Sequence, residues 1–303
     1  MGEQLLLDLG GTHCRLGLAR DAKFDAVTAR IFKNAAFGTL TDMVRSYLNE
    51  LRPGRIDAVC AAVAGPVRGD QAQLTNHSWK VHACDLISAT GAVHVHLLND
   101  LQAQAYALDD LAPDDVAPIV PGQADPDGAR LVLVLGTGCN IAVAHNVNGR
   151  IFVPSAEAGH STLPDVPQFR ALFDTLRRDM PHLPVEAALS GPGLTRLHAH
   201  LSGETLSPPD IMAAAPKATL QSFVTLLGHV ASSFCISHLA TGGLFLAGGT
   251  ARAIAPHLAD NGFRDAFHLR GPYTSILRDI PVSVITDDLA ALRGGAQYLA
   301  QQL

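Results

Sequence analysis

Apolar and polar positions along this chain switch between a period of two and a period near 3.6, and the switches mark out its elements. Leu5, Leu6 and Leu7 form an apolar run that leads into Asp8 and Gly10-Gly11-Thr12. From Cys14 the pattern alternates, with Cys14, Leu16 and Leu18 on one face and Arg15, Gly17 and Ala19 on the other. This predicts a buried strand, a tight glycine turn and a half-buried second strand, followed by a third strand over 26–33. Leu40, Met43, Val44, Tyr47, Leu48 and Leu51 then recur at helical spacing, which predicts an amphipathic helix. Thr39 or Thr41 serves to cap it and Pro53-Gly54 to end it. Residues 56–64 are a continuous apolar run closed by Gly65-Pro66, and a helix followed by such a strand belongs to a βαβ unit in a sheet covered on both faces. A helix near 84–90 and a strand over 92–98 lead to Asn99-Asp100, with a helix over 101–108.

Residues 109–130, rich in Pro, Asp and Gly, carry little periodicity and read as a domain boundary. The opening plan then recurs. An apolar run over 131–135 meets Gly136-Thr137-Gly138, a strand follows over 139–145, Asn148-Gly149 is a hairpin signal, and a third strand covers 150–153. The recurrence implies two related domains facing each other. Phe169, Leu172, Phe173 and Leu176 mark a helix between 164 and 180. A longer one covers 218–240, with Phe223, Leu227, Val230 and Phe234 on its buried side and Gly242-Gly243 as its stop. A short strand over 244–247 runs into Gly248-Gly249 and a helix over 250–258; a strand over 282–286 and a helix over 288–302 close the chain.

Composition narrows the function classes. With 303 residues, 48% of them hydrophobic and 17% charged, the chain supports a sizeable core and two domains. A net charge of −6 without a Lys/Arg cluster argues against nucleic-acid and acidic-membrane partners and for a small hydrophilic one. Five cysteines without CxxC spacing read as reduced, buried thiols of a cytoplasmic protein. The first residues enter a strand with no signal-peptide pattern, and no stretch reads as a membrane span. Fourteen histidines include no HExxH or Cys/His ligand set, so no zinc site is expected.

The glycine turns carry the chemistry. Two adjacent glycines let backbone N–H groups converge on an anion, and Thr12 adds a hydroxyl donor. A carboxylate beside such a cradle would hold Mg²⁺, directly or through water, which is the role open to Asp8. An ordinary hairpin explains this one stretch equally well. Three glycine turns at strand ends are harder to explain as separate packing accidents.

Asp8-Leu9-Gly10-Gly11-Thr12, Thr75-Asn76-His77-Ser78-Trp79, Leu98-Asn99-Asp100, Gly136-Thr137-Gly138, Glu157-Ala158-Gly159-His160, Glu186 with Leu189-Ser190-Gly191-Pro192-Gly193, and Ala247-Gly248-Gly249 occur in this order over almost the whole chain. On these motifs the sequence resembles the bacterial glucokinases, two-domain sugar kinases of the actin-like ATPase superfamily. The resemblance implies an α/β fold of two ribonuclease-H-like domains with an interdomain cleft that closes on the sugar and excludes water. The small domain would be 1–109 completed by a C-terminal helix of about 288–303, and the large one 110–287. The implied reaction is ATP-dependent phosphorylation of D-glucose at its 6-hydroxyl, with Asp100 as general base. Asn99, Glu157, His160 and Glu186 would bind sugar hydroxyls, with Asn76 on a sugar-side loop. Gly10, Gly11 and Thr12 would hold the β/γ-phosphates, Gly136, Thr137 and Gly138 would close on them, and Gly248 and Gly249 would let the adenosine lie against the backbone. Relatives of this kind are often homodimers.

Each residue also has a plainer reading. Asp100 would cap the helix that begins at Leu101, Glu157 and His160 would be a surface pair, Glu186 a first-turn acid, and Trp79 simple packing. Two positions depart from the family pattern: His13 stands where Asn usually follows Gly-Gly-Thr, and Cys139-Asn140 stands where GTGLG continues. Both are read as changes on the phosphate side, with Asn140 tolerated for its ease in left-handed backbone. They motivate an alternative, a sugar-binding regulatory protein with impaired transfer; a kinase of another hexose is a further one. The Cys-rich zinc motif of the repressor/kinase relatives is absent, which favours the glucokinase branch.

Overall fold

The computed structural model describes residues 2–75 and 77–303; the chain divides into two units, one running to Ala112 and completed by Asp287–Leu303, the other Pro113–Thr286. In unit 1, the leucine run lies in β1 (Glu3–Leu9), which continues through the glycine turn into β2 (His13–Arg20) and β3 (Lys23–Lys33). The apolar run after the first helix forms β4 (Ile56–Val63). Three short strands follow, β5 (Val67–Arg68), β6 (Gln71–Gln73) and β7 (Lys80–His82), then β8 (His94–Asn99). The main sheet has the order β3-β2-β1-β4-β8, antiparallel among the first three and parallel from β1 through β4 to β8. Burial explains that order. β1 and β4 are apolar on both faces and take the centre, whereas β3 is largely exposed and forms the edge.

The helices of unit 1 are α1 (Leu40–Leu51), α2 (Ala83–Thr90) and α3 (Asp100–Tyr106), joined by the C-terminal helix Ala290–Gln302. Thr39 caps α1, its Oγ1 accepting from the Asp42 N–H at 3.1 Å. The helix ends at Arg52 in left-handed backbone (φ 47°), one residue before the expected Pro-Gly stop. The C-terminal helix packs on α3 and β4 so closely that a Cβ on Gly294 would run into the Ala103 carbonyl. Arg293 joins Asp287 (2.8 Å) and Asp110 (3.5 Å), next to the two points where the chain enters and leaves unit 1.

Unit 2 repeats the plan. β9 (Val116–Val120) precedes β10 (Arg130–Leu135), β11 (Cys139–Val147), β12 (Arg150–Phe152), β13 (Gly243–Ala247) and β14 (Val282–Ile285), in the order β12-β11-β10-β13-β14-β9. Without β9 this is the order of unit 1, so both units have the ribonuclease-H-like arrangement. β9 corrects the expectation that 109–130 lacks a regular element: it pairs antiparallel with β14 at the sheet edge, where Pro118 is tolerated because no further strand needs its missing N–H.

The helices of unit 2 are α4 (Arg170–Arg177), α5 (Gly191–Ser202), α6 (Pro208–Ala214), α7 (Lys217–His238), α8 (Gly249–Leu258), α9 (Phe263–His268) and α10 (Thr274–Asp279). At 22 residues α7 is long and apolar enough to cross a membrane by length and composition, contrary to the sequence reading. It is a core helix here, packed on α5 and α9 with Phe223, Leu227 and Val230 fully buried and Phe234 partly so. It ends in left-handed backbone at Leu239 (φ 46°), before the glycine pair expected to stop it.

Candidate active site

The first glycine turn is built from four segments of unit 1. Asp8 sits opposite Arg15 across the β1–β2 ladder, and its Oδ2 is 3.1 Å from Arg15 Nη1. Burial pushes the Asp8 carboxyl above its ordinary range; Arg15 opposes the shift and Asp288 adds to it. Beyond Asp8 the chain turns sharply, with the Gly10 N–H donating to the His13 carbonyl at 3.1 Å. A Cβ on Gly10 would lie 2.9 Å from that carbonyl, so glycine serves here for close approach. His13 enters the turn through its backbone and its side chain is exposed, so the turn does not depend on which side chain stands there.

Asn34, which the sequence reading missed, holds this turn in shape. It is 2% exposed. Its Nδ2 donates to the carbonyls of Gly10 and Gly11, both at 2.9 Å, its N–H donates to the Thr12 carbonyl, and its Oδ1 accepts from the Cys14 thiol. No local pattern marks an asparagine that acts on residues twenty or more positions away.

Asn99 ends β8 and caps α3. Its Oδ1 accepts from the Leu101 N–H at 3.0 Å, Gln102 Oε1 accepts from the Asn99 N–H, and its Nδ2 donates to the Gly65 carbonyl at 3.1 Å. Asn99 is thus the N-cap residue, and Asp100 shares the role that the sequence left open to it, its Oδ1 accepting from the same Leu101 N–H at 3.1 Å. Asp100 is the first helical residue, half-buried, with its carboxylate at the N-terminus of α3, where the helix dipole favours negative charge. Asn76 lies outside the described residues. Beside it, the Trp79 ring packs edge-on against His77, 4.6 Å between centroids.

Unit 2 brings the second turn and three predicted sugar residues together. Gly136, Thr137 and Gly138 join β10 to β11, and the Gly136 carbonyl accepts from the Gly191 N–H (2.7 Å) and Thr250 Oγ1 (3.3 Å), tying the turn to the starts of α5 and α8. A Cβ on Gly138 would sit 3.0 Å from Glu186 Oε2, so the glycine leaves room for that carboxylate. Glu186 Oε1 is 3.9 Å from His160 Nδ1. Glu186 is the first-turn acid of a short helix, as its plainer reading has it, but that helix is a single 3-10 turn, Val185–Ala187. The loop carrying Glu157 and His160 presses on β11 so tightly that a Cβ on Gly159 would run into the Cys139 carbonyl.

Asn140, on β11, turns its side chain to this loop. Its φ is negative, so left-handed backbone is not its purpose. Its amide bonds residues 156–158, including Glu157 Oε2 at 3.0 Å.

Behind the second turn opens a cavity of about 970 Å³, lined by Gly136, Thr137 and Gly249 at one end and by Pro192, Pro208 and Met212 among its apolar walls. The N-termini of α5 and α8 meet it, and helix N-termini suit phosphate oxygens. Gly248 has φ 92° and its missing side chain lets the strand end pass the Leu135 carbonyl. Gly136, Thr137, Gly249 and the Gly191-Pro192 start of α5 were legible as motifs; the rest of the α5 wall and α6 were not.

The glucokinase family model matches residues 5–302. A glucokinase of Mesorhizobium japonicum is 32% identical over 312 residues, covering 97% of this chain and 90% of that protein. The crystal structure of a glucokinase from an Antarctic psychrotroph superposes with a TM-score of 0.88 at 30% identity, covering 99% of each chain. A ROK family glucokinase from Streptomyces griseus, solved with glucose and AMPPNP, shares the fold at 17% identity with a TM-score of 0.65, covering 100% of each chain. With a family model matched from its first strand to its last helix and a relative aligned over nearly all of both proteins, this chain belongs to the glucokinase family.

Proposed function

We propose that this protein transfers the γ-phosphoryl group of ATP to the 6-hydroxyl of D-glucose, with Asp100 as general base. The observation that carries the reading is the grouping of Glu157, His160 and Glu186 around the Gly136–Gly138 turn. Acceptors and an imidazole that satisfy vicinal hydroxyls lie beside a turn that the Gly136 N–H closes on the Gly138 carbonyl, and whose small residues leave room for phosphate oxygens.

Asn99, Glu157, His160 and Glu186 orient the sugar, with Asn76 on its side. Asp100 accepts the 6-hydroxyl proton as the oxygen attacks phosphorus, which both aligns the nucleophile and removes the charge that would otherwise develop on it. Gly10, Gly11, Thr12, Gly136, Thr137 and Gly138 shape the turns that face the phosphate oxygens, and Gly249 borders the adenosine in the apolar cavity, with Gly248 just before it at the strand end. The described residues contain no group of three metal-binding side chains, and a lone half-buried carboxylate suits Mg²⁺ that arrives on the nucleotide. Asp8 would hold that ion, through water while Arg15 remains paired to it, and the ion would neutralise charge on the β/γ-phosphates. Five free thiols support a cytoplasmic setting.

The test is a coupled assay of glucose 6-phosphate formation with Mg·ATP. Turnover should depend strictly on both substrates, and Asp100→Ala should lower kcat by at least about 10³-fold while glucose still raises the melting temperature. Near-normal turnover of that variant would remove Asp100 from the base role.

A further inference from the structure

Asn140 lies two residues beyond the second glycine turn, and its amide has no unused capacity. An asparagine side chain offers two lone pairs and two hydrogens. Oδ1 accepts from the N–H groups of Ile141 and Ala158, both at 2.8 Å; Nδ2 donates to the Ala156 carbonyl at 2.8 Å and to Glu157 Oε2 at 3.0 Å. Three of these bonds secure backbone. The fourth reaches a side-chain carboxylate that is otherwise exposed and would sample several rotamers.

We infer that Asn140 is a positioning residue that fixes the Glu157 carboxylate for sugar binding, so that this chain builds glucose affinity partly through a residue two positions beyond its phosphate turn. The inference rests on the reading of Glu157 as a sugar ligand. With Oε2 held, Oε1 is oriented toward a hydroxyl donor before the sugar arrives, and the rotamer entropy is lost on folding and not on binding. No other residue type at 140 supplies the same set: Asp puts an oxygen against the Ala156 carbonyl and the Glu157 carboxylate, Ser is too short to reach both, and Gly leaves all four partners open. Because β11 starts from the same turn, the Glu157 carboxylate is registered to Thr137 through a few residues of strand.

A double-mutant cycle tests this, with glucose KM, ATP KM and kcat measured for the wild type, Asn140→Asp, Glu157→Gln and the double variant. Asn140→Asp should raise glucose KM about tenfold, the scale of one lost hydrogen bond to a charged group, with ATP KM within about twofold. Glu157→Gln should also raise glucose KM. The double variant should be no worse than Glu157→Gln alone, because the amide introduced at position 157 donates to the carboxylate introduced at position 140 and restores the bond with its direction reversed. Effects on glucose KM that multiply in full, or an ATP KM that rises as much as glucose KM, would overturn the proposal. A normal glucose KM in Glu157→Gln would overturn the sugar-site reading and this inference with it, whereas a weakened Glu157→Gln beside a silent Asn140→Asp would overturn this inference alone. If Asn140→Asp does not fold, Asn140→Ser should show the same split between glucose and ATP, and a normal glucose KM there would also overturn the inference.

Discussion

Asn34 and Asn140 are amides placed where a tight turn leaves more polar groups than its own backbone pairs. Asn34 takes up the carbonyls of Gly10 and Gly11 from inside unit 1. Without it two acceptors in a half-buried turn lose their donor, and each orphaned group costs on the order of 1–3 kcal/mol. Asn34→Ala should therefore lower the unfolding free energy by about 2–3 kcal/mol in urea titration and raise ATP KM more than glucose KM, since the turn it shapes is the proposed phosphate cradle. An unchanged ATP KM would restrict Asn34 to a structural role. Asp8, Asp100, Glu157, His160 and Glu186 could be named from the sequence because their chemistry is local to a motif. Asn34 could not, because its bonds span 23 and 24 positions, and Asn140 was named for the wrong reason because its partners lie 16 to 18 positions on.

At the scale of elements, the start of α5 shows how secondary structure sets a site side chain. Ser190 caps the helix, its Oγ accepting from the Gly193 N–H at 3.0 Å and donating to the Glu186 carbonyl at 2.7 Å. The cap and the carboxylate turn are thus one unit, and Ser190→Ala should cost about 1 kcal/mol of stability and loosen Glu186. A thermal melt checks the first, and a glucose KM that rises with little change in kcat checks the second; an unaltered KM would separate cap from site. Elements that the apolar pattern revealed, such as β1, β4, β10 and α1, carry enough residues for their period to show. β5, β6 and β7 have two or three residues each, and α6, α9 and α10 have seven or fewer, too short for a period. β9 escaped notice because its proline reads as a breaker until the strand is known to lie at an edge.

Across the whole molecule, the two units bury the thiols and leave one accessible. Burial pushes the Cys14, Cys60 and Cys235 thiols up to about 12 and Cys139 upward as well, and only Cys84 is exposed. A raised thiol remains protonated, and so unreactive, throughout the neutral range. An aromatic disulfide reagent at neutral pH should therefore titrate one thiol of five in the native protein and all five in denaturant; two or more fast native thiols would contradict the packing described. The sequence by itself determined the repeated strand–glycine–strand plan, the succession of the main strands and helices along the chain and the residue types available for catalysis, because apolar period and glycine motifs act over a few neighbouring residues. Tertiary structure alone decided that residues 116–120 complete the second sheet, that a helix apolar enough for a membrane is instead a core helix, that Asn99 is the N-cap residue of α3, and that Asn34 holds the first glycine turn and Asn140 the loop of Glu157. Each of these depends on which distant backbone group is left unpaired, or which distant apolar face is left uncovered, and neither is defined until the chain has folded back on itself.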